Sequence, residues 1–240
     1  MPDRAALVTG ASSGIGLAIA RMLAEEGYGI TVAARRPDKL SEAAAGLRKA
    51  GWDIEAVAGN MADEADVQRI VAAHRERWGR LDVLVNNAGV GIGSPVAEVV
   101  TKRVDMQLDI NLRAVILFYR ECTDMLRAAG AEHRNALVVN MSSISGKTGQ
   151  AWLSVYSATK AAVIGWTQAM NQELNGDGIK SVALCPGYVD TPMTEFVREH
   201  VAPEEMIRRE DISEAVRFLL RTSPRCVVPE IVFQRPGESL

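Results

Sequence analysis

Short apolar runs recur along the chain with longer amphipathic stretches between them. The runs fall at 5–9, 29–34, 54–58, 83–85, 136–140, 179–184 and 231–233. Most are nearly continuous Val, Leu, Ile and Ala rather than alternating, the pattern of parallel strands covered on both faces. Apolar residues recur at helical spacing over 15–26, 39–49, 63–77, 104–128, 155–174 and 212–221. Strand and helix alternate, which predicts an α/β fold: a doubly wound, seven-stranded parallel sheet with helices on both faces. No repeat or Pro/Ser-rich linker divides it, so residues 1–240 are expected to form a single domain. Residues 190–211 are highly charged with scattered apolar positions and interrupt the alternation, as a flap over a substrate would.

Composition narrows the function classes. The 240 residues are 48% hydrophobic and 24% charged with a formal net charge of -3. No basic stripe is offered to nucleic acid or to an anionic membrane, and no apolar stretch is long enough to span a bilayer. The N-terminus passes directly into the first strand without a signal-peptide pattern. Cys122, Cys185 and Cys226 are odd in number and far apart, which argues against a disulfide framework and fits a reducing, cytoplasmic setting. His74, His133 and His200 lack metal-ligand spacing. No metal is expected, and all three are expected at the surface.

In a doubly wound sheet, ligands bind beyond the carboxyl ends of the strands, where the winding reverses. The first strand ends there in Thr9-Gly10-Ala11-Ser12-Ser13-Gly14-Ile15-Gly16 and opens a helix. Glycine suits a turn that needs positive φ or close backbone approach, and the N–H groups of a helix N-terminus can meet a pyrophosphate. The second strand ends in Ala33-Ala34-Arg35-Arg36. A site for NAD would place a carboxylate there for the ribose hydroxyls, about twenty residues after the glycines. Two guanidinium groups instead suit the 2′-phosphate of NADP.

Tyr156 and Lys160 are i, i+4 neighbours early in a long helical pattern. A tyrosine with pKa near 10 carries protons poorly at neutral pH, and lowering it by about three units takes roughly 4 kcal/mol. A cation about 4 Å away supplies about that much at an effective dielectric of ~20. The pair alone is common on exposed helix faces, so its company in the sequence must carry the argument.

That company resembles the compact, single-domain form of the short-chain dehydrogenase/reductase family. The matching pieces are the residue 9–16 turn, Asn86-Asn87-Ala88-Gly89, Asn111, Ser142-Ser143-Ile144-Ser145-Gly146, Tyr156 to Lys160 and Pro186-Gly187, in that order. The resemblance implies a Rossmann-like fold, NADP as cofactor, and hydride transfer between it and a small-molecule carbonyl or secondary alcohol. Tyr156 would be the proton donor, Lys160 its helper, and Ser143 the hydrogen-bond donor to the substrate oxygen, with adjacent Ser142 as the competing choice. Asn111 would hold a water linked to the lysine. Gly10, Ser12, Ser13, Gly14, Ile15, Gly16, Arg35 and Arg36 would bind the phosphates. Asn60, Met61, Asn87, Ala88 and Gly89 would pass beside the adenosine, and Pro186, Gly187, Val189 and Thr191 would run along the nicotinamide.

The chain also departs from the family pattern. Asn60-Met61 stands where many relatives carry an aspartate before an apolar residue, and no Asp-Gly-Gly ending follows the last strand. A homodimer or homotetramer is expected through the long helices at 104–128 and 155–174. Trp152, Tyr188, Met193 and Phe196 are candidate apolar walls for the substrate, with Gln150 or Ser145 adding polarity. The activity so implied is carbonyl reduction by NADPH or its reverse. A 3-oxoacyl-thioester reductase is the narrower alternative, and a dinucleotide-binding protein without turnover is the alternative from another class.

Overall fold

The computed structural model describes residues 2–237. Seven strands form one sheet: β1 (Ala5–Thr9), β2 (Gly29–Ala34), β3 (Ile54–Ala58), β4 (Val83–Asn86), β5 (Ala136–Met141), β6 (Ile179–Pro186) and β7 (Glu230–Phe233). Every residue of β1, β2, β4, β5 and β6 is buried, which is why their sequences are continuously apolar. The edge strands β3 and β7 are partly exposed. The order is β3-β2-β1-β4-β5-β6-β7, with every neighbouring pair parallel.

Two apolar cores lie on the two faces of the sheet. Helices α1 (Gly14–Glu25), α2 (Pro37–Lys49) and α7 (Arg209–Arg221) pack on one face, through Ile19, Leu40 and Ile212 against Val8, Val32 and Val139. Helices α3 (Glu64–Trp78), α5 (Ala114–His133) and α6 (Ser154–Leu174) cover the other, through Ile70, Phe118 and Val163 against Leu7, Leu84 and Val138. Successive strand residues serve opposite cores, as a two-residue period requires. Each such fully buried side chain stabilises the fold by about 1.5–3 kcal/mol. The winding reverses between β1 and β4, and the crevice beyond their carboxyl ends is the place for a ligand.

Three expectations need correction. The pattern at 104–128 is not one helix: α4 (Thr101–Leu108) runs into a π turn at Asp109–Arg113, and only then into α5. The amide of Ala114 reaches back five residues to the carbonyl of Asp109, and Asn111 lies inside that turn. The charged stretch at 190–211 is shorter than expected, because its last residues already form α7. Asp211 accepts from the Arg208 backbone N–H at 3.1 Å and from its guanidinium at 2.6 Å, and with Glu210 it complements the helix N-terminus. The charge density that suggested a flap is partly that of a helix start.

His74, expected at the surface, is fully buried. Its Nδ1 bonds Thr31 Oγ1 at 2.8 Å and its Nε2 the Arg80 carbonyl at 2.9 Å, while Trp78 donates from Nε1 to the same threonine at 2.9 Å. Burial pushes its pKa down to about 4, so the ring is neutral and serves the core. His200 is exposed, whereas His133 is half-buried and bonds Asp82 at 2.9 Å.

Candidate active site

The turn after β1 is built by close backbone approach. Gly10 and Gly14 adopt φ of 66° and 58°, a region that favours glycine. A Cβ at Gly16 would lie 2.4 Å from Asn87 Nδ2 and 2.6 Å from the Gly10 carbonyl oxygen, so no side chain fits. Ser13 precedes α1 without capping it, which leaves the first-turn amides of α1 free of a side-chain partner. Ser12 and Ile15 are half-buried beside them. Asn87 braces the turn from β4: its Nδ2 donates to the carbonyls of Thr9 at 2.9 Å and Gly10 at 3.2 Å. Thr9 Oγ1 accepts in return from the amides of Asn87 and Ala88 at 3.0 and 3.1 Å.

Arg35 and Arg36 lie exposed at the end of β2, and their guanidinium groups bond no other described residue. Two cations free of partners beside an open helix N-terminus suit a phosphate. After β3, Met61 is buried, and Asn60 Oδ1 accepts from the Ala62 amide at 3.2 Å, which leaves the oxygen one lone pair. Beyond β6, Pro186 and Gly187 lead into Val189, which is buried and bridged to Ile207. The methyl of Thr191 lies 3.2 Å from the Cβ position at Gly14, so this loop reaches the glycine turn.

On the other side of the crevice, α6 carries Tyr156 and Lys160, and Ser143 follows β5 in extended backbone. Ser143 lies near Tyr156, and its Oγ accepts from the Ser145 amide at 3.1 Å and donates to the Pro186 carbonyl at 3.4 Å. Burial pushes the phenol up, and the nearby Ser143 hydroxyl offsets that rise only partly. Lys160 is buried, and its Nζ donates to the Met141 carbonyl at 2.8 Å. Burial lowers its pKa to about 8. The ammonium stands 5.6 Å from the centre of the Tyr156 ring, so the chain by itself does not lower the phenol as the spacing alone suggested. Ser142, the competing serine, donates to the Lys160 carbonyl at 2.8 Å and holds the helix rather than facing the tyrosine.

Asn111 is buried, and both ends of its amide grip the backbone of Val90. Oδ1 accepts from the amide and Nδ2 donates to the carbonyl, each at 2.8 Å, and Nδ2 also donates to Thr159 Oγ1 at 3.1 Å. A Cβ at Gly89 would stand 3.3 Å from Asn111 Oδ1 and 3.4 Å from Lys160 Nζ, so this glycine keeps the two close.

Gln107 escaped the sequence reading. One helical turn before Asn111 and equally buried, it accepts from the Ile92 amide at 3.1 Å. Its signal was the i, i+4 spacing of two amides on one helix face. Among the candidate walls, Trp152, Met193 and Phe196 are exposed, and Tyr188 stacks with Arg235 at 5.5 Å. Ser145 and Gln150 line an open groove of about 520 Å³ along Ser154 and Ala158. No three His, Cys, Asp or Glu side chains among the described residues group to hold a metal, and none of the described helices is long and apolar enough to cross a membrane.

The family model for short chain dehydrogenases matches residues 4–202. The chain belongs to this family. This short-chain dehydrogenase is 40% identical over 215 residues to a putative ketoacyl reductase of the granaticin polyketide synthase of Streptomyces violaceoruber, covering 88% of this chain and 77% of that protein. Among solved structures, an actinorhodin polyketide ketoreductase variant with NADPH superposes with a TM-score of 0.86 at 34% identity, covering 95% of each chain. A short chain dehydrogenase from Burkholderia cenocepacia in complex with NADP gives 0.85 at 28% identity, covering 96% of each. Membership makes this chain an oxidoreductase, and in its crevice a phenol, a serine hydroxyl and a buried amine lie near one another.

Proposed function

We propose that this short-chain dehydrogenase is an NADPH-dependent carbonyl reductase, able to run in reverse as a secondary alcohol dehydrogenase. The observation that carries the reading is Tyr156 with Ser143 beside it and Lys160 buried one turn further along the same helix, its ammonium 5.6 Å from the centre of the tyrosine ring. The free guanidinium groups of Arg35 and Arg36 and the uncapped glycine turn fit a phosphorylated dinucleotide. Solved relatives that carry NADPH or NADP support the same cofactor.

NADPH, when bound, supplies the hydride. Gly10, Gly14 and the first-turn amides of α1 would hold its pyrophosphate, Arg35 and Arg36 its 2′-phosphate, and Asn60, Met61, Asn87, Ala88 and Gly89 would flank the adenosine. The loop from Pro186 through Gly187 and Val189 to Thr191 would position the nicotinamide end. Ser143 and Tyr156 donate to the substrate oxygen as negative charge grows on it, and the Tyr156 hydroxyl delivers its proton there. Lys160, with a pKa near 8, stabilises the phenolate that remains and passes on a replacement proton. The Asn111 side chain is engaged by Val90 and Thr159, so its part in holding a water falls to the main chain of the π turn.

Relatives named as ketoacyl reductases favour a 3-oxoacyl thioester or a poly-ketone over other carbonyl compounds. The test is loss of NADPH absorbance across a panel holding acetoacetyl thioester, linear ketones and cyclic ketones. Turnover of any member supports the reading, and cofactor binding without turnover of any overturns it in favour of a binding protein.

A further inference from the structure

The segment after β4 alternates in an ordered way. Its even residues are held by their amides: Val90 by Asn111, Ile92 by Gln107 at 3.1 Å, and Ser94 by the Trp152 carbonyl at 2.8 Å. Its odd residues, 89, 91 and 93, are glycines. The missing Cβ positions stand 3.4 Å from Lys160 Nζ at Gly89, 3.6 Å from two ring carbons of Tyr156 at Gly91, and 2.4 Å from two ring carbons of Trp152 at Gly93. Residues two apart lie at most about 7 Å from one another. Trp152 is therefore the third member of a row that begins with Lys160 and Tyr156.

Neither backbone preference nor burial explains a tryptophan there. Trp152 has φ of 69°, the left-handed region that bulky side chains rarely adopt, and it is 54% exposed. The six-membered ring of its indole occupies the space a side chain at residue 93 would need, while much of the rest faces solvent. A strained aromatic residue pinned at a site and left open is a device for something that arrives.

We infer that Trp152 is a specificity-determining residue, an aromatic wall seated on Gly93 that favours carbonyl compounds bearing a flat ring next to the reacting carbon. The inference rests on the carbonyl-reductase reading and names the substrate class of that site. A ring fused to the carbonyl at Tyr156 reaches the indole one step along the row, whereas a short linear chain does not fill the same distance.

The experiment compares kcat/KM for α-tetralone and ethyl acetoacetate in the parent, Trp152→Gly, Trp152→Phe, Gly93→Ala and the Gly93→Ala/Trp152→Gly double variant. Glycine suits the backbone at residue 152, so Trp152→Gly should keep or raise Tm. It should cut the tetralone-to-acetoacetate ratio about three- to tenfold, through KM, as loss of one aromatic pairing predicts. Trp152→Phe should recover part of the ratio. Gly93→Ala should lower it in the parent by displacing the indole, and should have no further effect once residue 152 is glycine. A ratio unmoved by Trp152→Gly, or Gly93→Ala lowering it equally in both backgrounds, overturns the inference while leaving the carbonyl-reductase reading intact. A parent that reduces ethyl acetoacetate but not α-tetralone does the same. A parent that reduces no carbonyl compound overturns both.

Discussion

Lys160 donates from Nζ to the main-chain carbonyl of Met141 at 2.8 Å, an ammonium bonded to the end of the central sheet instead of to a carboxylate. No carboxylate of the described residues pairs with it, and burial lowers its pKa from 10.5 to about 8. The shift has a sign in stability. Below pH 8 the lysine is charged in both folded and unfolded chains, and the fold bears the full desolvation cost of roughly 3 kcal/mol. Between pH 8 and 10.5 the folded chain releases its proton first, and the cost disappears. Lys160→Met should therefore unfold at higher urea than the parent at pH 7, with an advantage that shrinks by about 1.4 kcal/mol per pH unit from 8 to 10. An advantage independent of pH would contradict the burial account.

Arg35 and Arg36 bond no other described residue, so removing them leaves no partner behind. The Arg35→Ala/Arg36→Ala double variant should weaken NADPH binding about ten- to a hundredfold, the worth of one or two charge-assisted hydrogen bonds. NADH binding should change little. Fluorescence titration with both cofactors checks this, and equal losses for the two would remove the 2′-phosphate assignment.

Burial depresses His74 from 6.5 to about 4. A depressed histidine costs nothing above pH 6.5, where both states are neutral. Below it the unfolded chain takes up a proton that the folded chain refuses, so stability falls. Relative to His74→Gln, the parent should lose about 2 kcal/mol of unfolding free energy between pH 7 and 5. Parallel urea curves for the two proteins at both pH values would show that the ring titrates freely.

The strands were legible because their side chains meet apolar cores on both faces, and Leu7 and Val8 serve opposite ones. The glycine turn and the i, i+4 spacing of Tyr156 and Lys160 are local patterns that the sequence displays, but their partners are not: Asn87 reaches the turn from 77 positions away, and Lys160 bonds Met141, 19 positions earlier. The π turn at Asn111 was not legible, since it shifts the helix by a single residue and is held by Val90, 21 positions away. The burial of His74 is hidden in the sequence for the same reason: its partner Thr31 lies on β2, 43 positions earlier. Gly91 and Gly93 stood in plain sight beside Gly89, but their glycine identity acquires meaning only when Tyr156 and Trp152 fold against them.

The central claim is that the Tyr156 hydroxyl delivers the proton in carbonyl reduction. Tyr156→Phe keeps the ring against Gly91 and removes only the hydroxyl. The decisive measurement is single-turnover NADPH oxidation by this variant, with NADPH affinity titrated in parallel on the same sample. The account predicts a rate at least about a hundredfold below the parent, the usual share of general acid catalysis, with NADPH affinity within about threefold. A variant that still reduces its substrate at near-parental rate would contradict the assignment of Tyr156 as the proton donor.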